Sequence, residues 1–171
     1  MLSAGNMREK KLNISRDKVW EALKDVTDPE IPVLSLVDMK IVRDVKIDGD
    51  EVTVTMTPTF AGCPAIYQMK SDIEEKLREL GFEKINVELS FKAPWSTEML
   101  DDEARAKLET FGITPPAKHD GDPTKTIQAT VKCPYCKSED TTMENPFGPT
   151  LCRMIYYCNS CQQPFERFKA L

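Results

Sequence analysis

Histidine is almost absent from this chain, which has one, His119, among 171 residues. His119 stands in a Pro-rich segment that we expect to be exposed, away from any nucleophile. This excludes a Ser-His-Asp triad, a Cys-His protease pair and a histidine-ligated di-iron site. The sequence also lacks GxGxxG and GxxxxGK[ST] motifs, so no motif cradles a nucleotide phosphate. We therefore expect no intrinsic enzymatic activity.

Long apolar runs and export signals are missing as well. No apolar run approaches the roughly 20 residues that a membrane span needs. The opening sequence MLSAGNMREKKLN has charges but no apolar stretch of signal-peptide length. We expect a cytoplasmic protein whose six cysteines are reduced, which favours metal binding or thiol chemistry over disulfides.

Basic residues do not exceed acidic ones. The chain has 23 Lys and Arg against 28 Asp and Glu, a net charge of −5. Binding to phosphates needs a surplus of Lys and Arg on one face. The charge balance therefore argues against nucleic acid as the main partner.

Hydrophobic spacing divides the first half of the chain into a helix, a hairpin, a second helix and a strand. Ser15 can cap an amphipathic helix, and the sequence DPEIP at Asp28–Pro32 then forces an extended loop. Apolar residues alternate on both sides of Gly49, which predicts a β-hairpin, and helical spacing begins at Pro64. We expect a small α+β sandwich in the order helix-strand-strand-helix-strand, spanning residues 15–95.

A helix and a linker are predicted for residues 96–126. The sequence STEMLDDEARAKLETFG has helical spacing from Ser96 and a natural stop at Gly112. The following ITPPAKHDGDPTKT is rich in Pro, Asp, Gly and Thr, so we expect it to be extended and exposed. Residues 127–171 then form a second, smaller domain.

Two CxxC pairs mark the second domain, separated by 21 residues. The four cysteines are Cys133, Cys136, Cys158 and Cys161. Two such turns at the ends of adjacent hairpins converge on one ion, which predicts a single structural zinc in a tetrahedral Cys₄ zinc ribbon. Iron fits the same ligands, and redox chemistry at one CxxC is a weaker alternative. Cys152 is outside both turns and is interpreted as a small hydrophobe in the ribbon, with a reactive thiol as the alternative.

Cys63 stands where the hairpin ends and the second helix begins. If Pro64 takes the first helical position, Cys63 is the N-cap, and the positive helix end lowers the pKa of its thiol and raises its metal affinity. The alternative is a cysteine that merely packs at this turn. Asp28 and Glu30 come near Cys63 if the DPEIP loop crosses the sheet end, although such carboxylates also serve as caps or solvated charges.

The quoted motifs resemble a known family. DPEIPVLSLVDM and TPTFAGCPA resemble the domain of SufT-type iron-sulphur assembly factors. The later CPYC, NPFGPTLC, CNSC and QPFERFK resemble the PaaD family of phenylacetate-degradation accessory proteins, also called phenylacetate-CoA oxygenase subunit PaaJ. The resemblance covers the chain from about Val19. The family's assembly cysteine falls on Cys63, its acidic motif on Asp28 to Glu30, and its ribbon cysteines on the two CxxC pairs, whereas Phe60-Ala61 replaces a Tyr-Ser pair.

The resemblance implies an accessory role in phenylacetate catabolism. Such a protein matures or sustains the multicomponent phenylacetyl-CoA epoxidase by iron-sulphur or metal delivery, with Cys63 transiently holding iron or a cluster and the ribbon docking the client. Its partners are then protein components of the epoxidase system. A stoichiometric non-catalytic subunit of the oxygenase complex and a nucleic-acid-binding zinc-ribbon protein are the alternatives, and exposed sheet edges leave a homodimer open.

Overall fold

Three α-helices and seven β-strands form most of the regular structure in the computed structural model, which describes residues 14–60, 62–126 and 129–171. The helices are α1 (Arg16–Leu23), α2 (Ile66–Glu79) and α3 (Asp102–Phe111). The strands are β1 (Val42–Asp48), β2 (Glu51–Met56), β3 (Lys84–Leu89), β4 (Ile113–Thr114), β5 (Thr141–Asn145), β6 (Arg153–Cys158) and β7 (Gln163–Phe168). None of the helices in these ranges combines the length and apolar character that crossing a membrane requires.

The first sheet places β2 between β1 and β3. β1 and β2 form the predicted antiparallel hairpin, which turns at Gly49, where φ is +61°. α2 connects this hairpin to β3, which pairs with β2 in parallel. Val52, Val54 and Met56 are fully buried and alternate with more exposed residues, so one face of β2 points into the core. The predicted α+β fold, with its order of helix, two strands, helix and strand, is confirmed.

The segment after Ser96 is not the single helix that its spacing predicts. It forms one turn of 3-10 helix at Thr97–Met99, leaves helical geometry at Leu100, and starts again as α3. The Asp101 carboxylate caps α3 by accepting the Ala104 N–H at 2.9 Å. The helical period continued through this break because the buried Leu100 keeps its place on the apolar stripe. Gly112, at φ +94°, ends α3 as predicted.

The Pro-rich segment after α3 is ordered and partly buried, so its predicted exposure is wrong. Ile113 and Thr114 form β4, which pairs in parallel with β7 and extends the second sheet to the order β4-β7-β6-β5. His119 is 2% exposed, and its Nε2 lies 3.2 Å from Thr97 Oγ1. The predicted start of the second domain at Ile127 falls outside the described residues.

The two sheets are joined by a shared hydrophobic core. Trp95, just after the first sheet, and Phe168, at the end of β7, belong to one buried cluster, and their ring centroids are 6.0 Å apart. The Trp95 indole N–H donates to the Met39 carbonyl at 2.6 Å, which fixes the ring. The Thr97 N–H donates to the Leu171 carbonyl at 3.1 Å and ties the last described residue to the same region. The second sheet is therefore packed onto the first.

Phe168→Ala is expected to lower the free energy of unfolding by about 3–5 kcal/mol, because the ring is fully buried between the two parts of the chain. Chemical denaturation of the metal-bound protein measures this change. Phe91→Ala is the matched control, since the Phe91 side chain is 56% exposed and should cost far less. Equal losses for the two variants would contradict a shared core.

Candidate functional site

Four cysteine sulfurs converge at one end of the second sheet. The four residues are Cys133, Cys136, Cys158 and Cys161, and their Sγ atoms all lie within 4.8 Å of one another. The pair from Cys133 and Cys161 is 3.7 Å apart, and the pair from Cys136 and Cys158 is 3.5 Å apart. A tetrahedral zinc with Zn–S bonds of about 2.3 Å requires S–S separations of roughly 3.8 Å. The donor set therefore fits a four-coordinate thiolate metal site.

Two equivalent turns bring these sulfurs together. The Lys137 N–H donates to the Cys133 carbonyl at 3.0 Å, and the Gln162 N–H donates to the Cys158 carbonyl at 2.9 Å. Lys137 and Gln162 both have positive φ, +63° and +57°, so each CxxC turn closes through a left-handed residue. The Cys161 N–H is directed at the Cys158 sulfur and lowers the pKa of that thiol to about 7.

Cys63 lies in the turn before α2, not at its N-cap. α2 begins at Ile66 with Ala65 as the N-cap residue, so the prediction that Pro64 opens the helix is wrong. The Cys63 N–H donates to the Phe60 carbonyl at 3.2 Å, which closes the turn. The thiol is partly buried against the main core.

The predicted lowering of the Cys63 pKa is also wrong. Burial raises the pKa of this thiol, and the negative charges of Glu30 and Asp28 raise it further, while a hydrogen bond from the Ala65 N–H opposes them. One backbone donor is too little to offset lost solvation and two nearby carboxylates. Cys63 therefore keeps its proton more firmly than an ordinary cysteine.

Asp28 and Glu30 lie within electrostatic range of Cys63. Asp28 is 7% exposed, and its Oδ1 accepts the N–H groups of Glu30 at 2.8 Å and Ile31 at 2.9 Å. It thus caps the turn of the DPEIP loop and also contributes a buried carboxylate beside the thiol. Burial raises the pKa of Asp28, and burial followed by the Asp28 charge raises the pKa of Glu30.

Cys152 and Arg153 complete this neighbourhood, and sequence reasoning did not place them there. Cys152 is 7% exposed and belongs to the main core of the first sheet, not to the small ribbon core around Tyr156 and Phe165. The interpretation of Cys152 as a hydrophobe within the ribbon is corrected accordingly. The position of Cys152 outside the CxxC turns was the one available signal, and it does not reveal a contact across domains.

Arg153 is a buried cation beside the carboxylates. Its Nη1 lies 2.6 Å from Glu166 Oε2, and its Nε donates to Thr150 Oγ1 at 2.9 Å. Its positive charge also acts on Asp28 and Glu30 and lowers the pKa of both, against the larger effect of burial. The second sheet therefore supplies charge compensation to a loop of the first.

Asp28→Asn is expected to become stabilising relative to wild type as the pH rises. Because the folded-state pKa is raised, the contribution of Asp28 to stability is complete below its ordinary pKa of 3.8 and is lost as the pH rises through the raised value. Asparagine keeps the Oδ1 acceptor and does not titrate. Urea denaturation from about pH 4 to pH 7 measures the difference in unfolding free energy. Asp48→Asn, at an exposed site, is the control, and a difference that does not grow with pH would contradict the buried carboxylate.

Comparison with known proteins assigns the two parts of the chain to described families. Residues 16–89 match the family described as iron-sulfur cluster assembly protein. Residues 117–169 match the family described as PaaD zinc beta ribbon domain. The second match begins before the predicted boundary at residue 127 and includes the segment around His119.

Relatives and solved structures agree with this division. The chain is 37% identical to a 1,2-phenylacetyl-CoA epoxidase subunit of Escherichia coli (strain K12), over 90% of this chain and 92% of the relative. It is 32% identical to the Fe-S protein maturation auxiliary factor of Porphyromonas gingivalis (strain ATCC BAA-308 / W83), over 55% of this chain and 90% of that protein. The crystal structure of a domain of unknown function, DUF59, from Bacillus anthracis matches with a TM-score of 0.50 and 32% identity, over 54% of this chain and 89% of that one.

The fold and the two cysteine-bearing regions thus define an iron-sulfur assembly domain followed by a zinc ribbon. Within that class, the chain belongs to the PaaD family, together with the epoxidase subunit of Escherichia coli. The resemblance inferred from the sequence motifs is confirmed.

Proposed function

We propose that this protein is a non-catalytic accessory factor of phenylacetate catabolism that matures or sustains the multicomponent phenylacetyl-CoA epoxidase. In this proposal Cys63 transiently holds iron or an iron-sulphur cluster and passes it to a component of that system. The observation that carries the proposal is the partly buried Cys63 thiol beside the carboxylates of Asp28 and Glu30, in a domain of the iron-sulfur assembly family. The names of the relatives, an epoxidase subunit and an iron-sulfur maturation factor, support it.

The chemistry of the Cys63 site suits a carrier. Thiolate is a good ligand for iron, and the carboxylates of Asp28 and Glu30 offset the charge of a bound cation. The raised pKa of Cys63 makes metal binding compete with a proton, because the thiol must be deprotonated to bind. Weak, reversible binding follows, which favours delivery over storage.

The four-cysteine cluster is proposed to hold one structural zinc. Iron fits the same sulfurs, but four thiolates around one ion leave no open ligand position for chemistry there. We further propose that residues 15–95 form the assembly domain, residues 96–126 a connecting helix and linker, and residues 127–171 a ribbon that docks the client. This function requires a cytoplasmic location beside the epoxidase components and leaves a homodimer as an unneeded addition.

Epoxidase made with and without this protein tests the proposal. We expect epoxidase components expressed in cells lacking the protein to contain less iron and acid-labile sulfide and to have low activity, and expression of the chain in the same cells to restore both. Normal metal content in its absence would overturn a maturation role.

A stoichiometric non-catalytic subunit is the second candidate, favoured by the name of the relative from Escherichia coli. Removing the protein from epoxidase that is already mature separates the two functions. A maturation factor leaves turnover unchanged after its removal, whereas a stoichiometric component co-purifies at fixed ratio and its removal stops catalysis.

A further inference from the structure

We propose that Cys152 is the second thiol of a metal site that Cys63 begins, so that one iron-binding site is built from both domains of the chain. The site takes a ferrous ion or a similar thiophilic divalent cation, with the carboxylates of Asp28 and Glu30 beside it. This inference rests on the proposed function of Cys63 and adds to it a ligand from the ribbon.

The location of Cys152 is the first observation. Its side chain is buried in the core of the first domain, and Cys63 packs against that same core. The two thiols interact electrostatically, and each is also within range of Asp28 and Glu30. Two thiols and two carboxylates from three separate segments of the chain therefore meet where the domains join.

The tight attachment of Cys152 is the second observation. The Lys169 N–H donates to the Cys152 carbonyl at 2.8 Å, and the Cys152 sulfur lies 3.1 Å from Thr150 Oγ1. A Cβ added at Gly148 would come within 2.8 Å of the Arg153 carbonyl oxygen, so the loop before β6 has no spare room. Cys152 comes directly before β6, whose last residue is the cluster cysteine Cys158. The metal-stabilised ribbon thus holds the second thiol in place.

The chemistry of the pair fits transfer. A ferrous ion that binds both thiols releases two protons to solvent and forms two iron–sulfur bonds, with no change of oxidation state. Burial raises the pKa of both thiols, so the bound ion is opposed by two returning protons. In the described residues the four ribbon cysteines are the group of three or more candidate ligands at metal-binding separation. The Cys63–Cys152 pair therefore supplies an incomplete coordination shell, which leaves positions open for ligands of a receiving protein.

The test uses the full chain, already occupied by zinc, under anaerobic conditions. Ferrous ion binding is measured by equilibrium dialysis, and Co²⁺ binding by its thiolate charge-transfer absorption. We expect Cys63→Ser and Cys152→Ser each to weaken binding at least about tenfold, and the double variant to be no weaker than the poorer single variant. Ser71→Ala, at an exposed site on α2, is the control and should bind as wild type.

The outcomes separate the two proposals. If Cys152→Ser binds like wild type while Cys63→Ser does not, the two-thiol site is wrong and the carrier role of Cys63 stands. If the zinc-bound wild type binds neither ion, both proposals are wrong.

A bridging reagent guards against a Cys152 variant that simply misfolds. Dibromobimane, which becomes fluorescent when it links two thiols, is applied to the zinc-bound wild type, and the linked peptides are identified by mass spectrometry. We expect a Cys63–Cys152 link that prior addition of ferrous ion suppresses. Separate labelling of the two thiols with no link would overturn the site.

Discussion

Cys63→Ser is expected to abolish maturation of the epoxidase while leaving the fold and the ribbon metal intact. Serine has nearly the same size as cysteine at this partly buried position, but its hydroxyl is a poor iron ligand. The four ribbon sulfurs are a separate cluster, so their metal content should stay at the wild-type level. The measurement is the iron and acid-labile sulfide content of epoxidase components co-expressed with each variant, beside the zinc content of the variant itself. We expect at least a tenfold loss of epoxidase activity, which corresponds to about 1.4 kcal/mol if read as a change in free energy.

The Cys63→Ser/Ser71→Cys double variant is a control for thiol number. Ser71 is exposed on α2, so the double variant restores six cysteines without restoring the thiol beside Asp28 and Glu30. It should remain inactive. Full maturation by either variant would remove Cys63 from the mechanism.

Cys158→Ser is expected to release the ribbon metal and unfold the second domain. Binding of structural zinc is worth roughly 10–16 kcal/mol in small zinc modules, as much as the whole stability of an ordinary domain. The ribbon core that remains is small, built around Val131, Tyr156 and Phe165. Zinc content should fall well below one per chain, and limited proteolysis should cut within residues 129–171 while the first domain stays resistant.

Ser160→Ala lies in the same CxxC turn and serves as the control for this experiment. It removes only the 2.7 Å hydroxyl contact with Ser138 and keeps the backbone N–H groups that face the Cys158 sulfur. It should keep its zinc and its protease resistance. Retention of a full zinc complement by Cys158→Ser would mean that Cys158 is not a ligand.

Local sequence signals predicted most of the fold. The Ser15 cap is real, since its side chain accepts the Lys18 N–H, and the hairpin turns at the predicted Gly49. Paired CxxC turns carry their own geometry, so the convergence of four sulfurs follows from spacing alone. These features depend on residues near one another in the sequence, where backbone and side-chain preferences act directly.

Contacts between distant segments could not be predicted in the same way. The two-residue β4 is too short to show a period, and it forms because β7 offers an edge. His119 is buried by neighbours that follow from tertiary packing, not from its Pro-rich surroundings. For Cys63, the N-cap prediction considered the helix and not the burial or the nearby Asp28 and Glu30, so the sign of its pKa shift came out wrong. The arrival of Cys152 at this site depends on how the domains pack.

Transfer of iron from this protein to the epoxidase tests the central claim most directly. The zinc-bound chain is charged anaerobically with radiolabelled ferrous ion and mixed with metal-free epoxidase components, and the iron is counted after the proteins are separated. We predict that wild type delivers its iron and that Cys63→Ser delivers no more than free ferrous ion does. Equal delivery by the two, or iron that stays on the wild-type chain, would contradict the account.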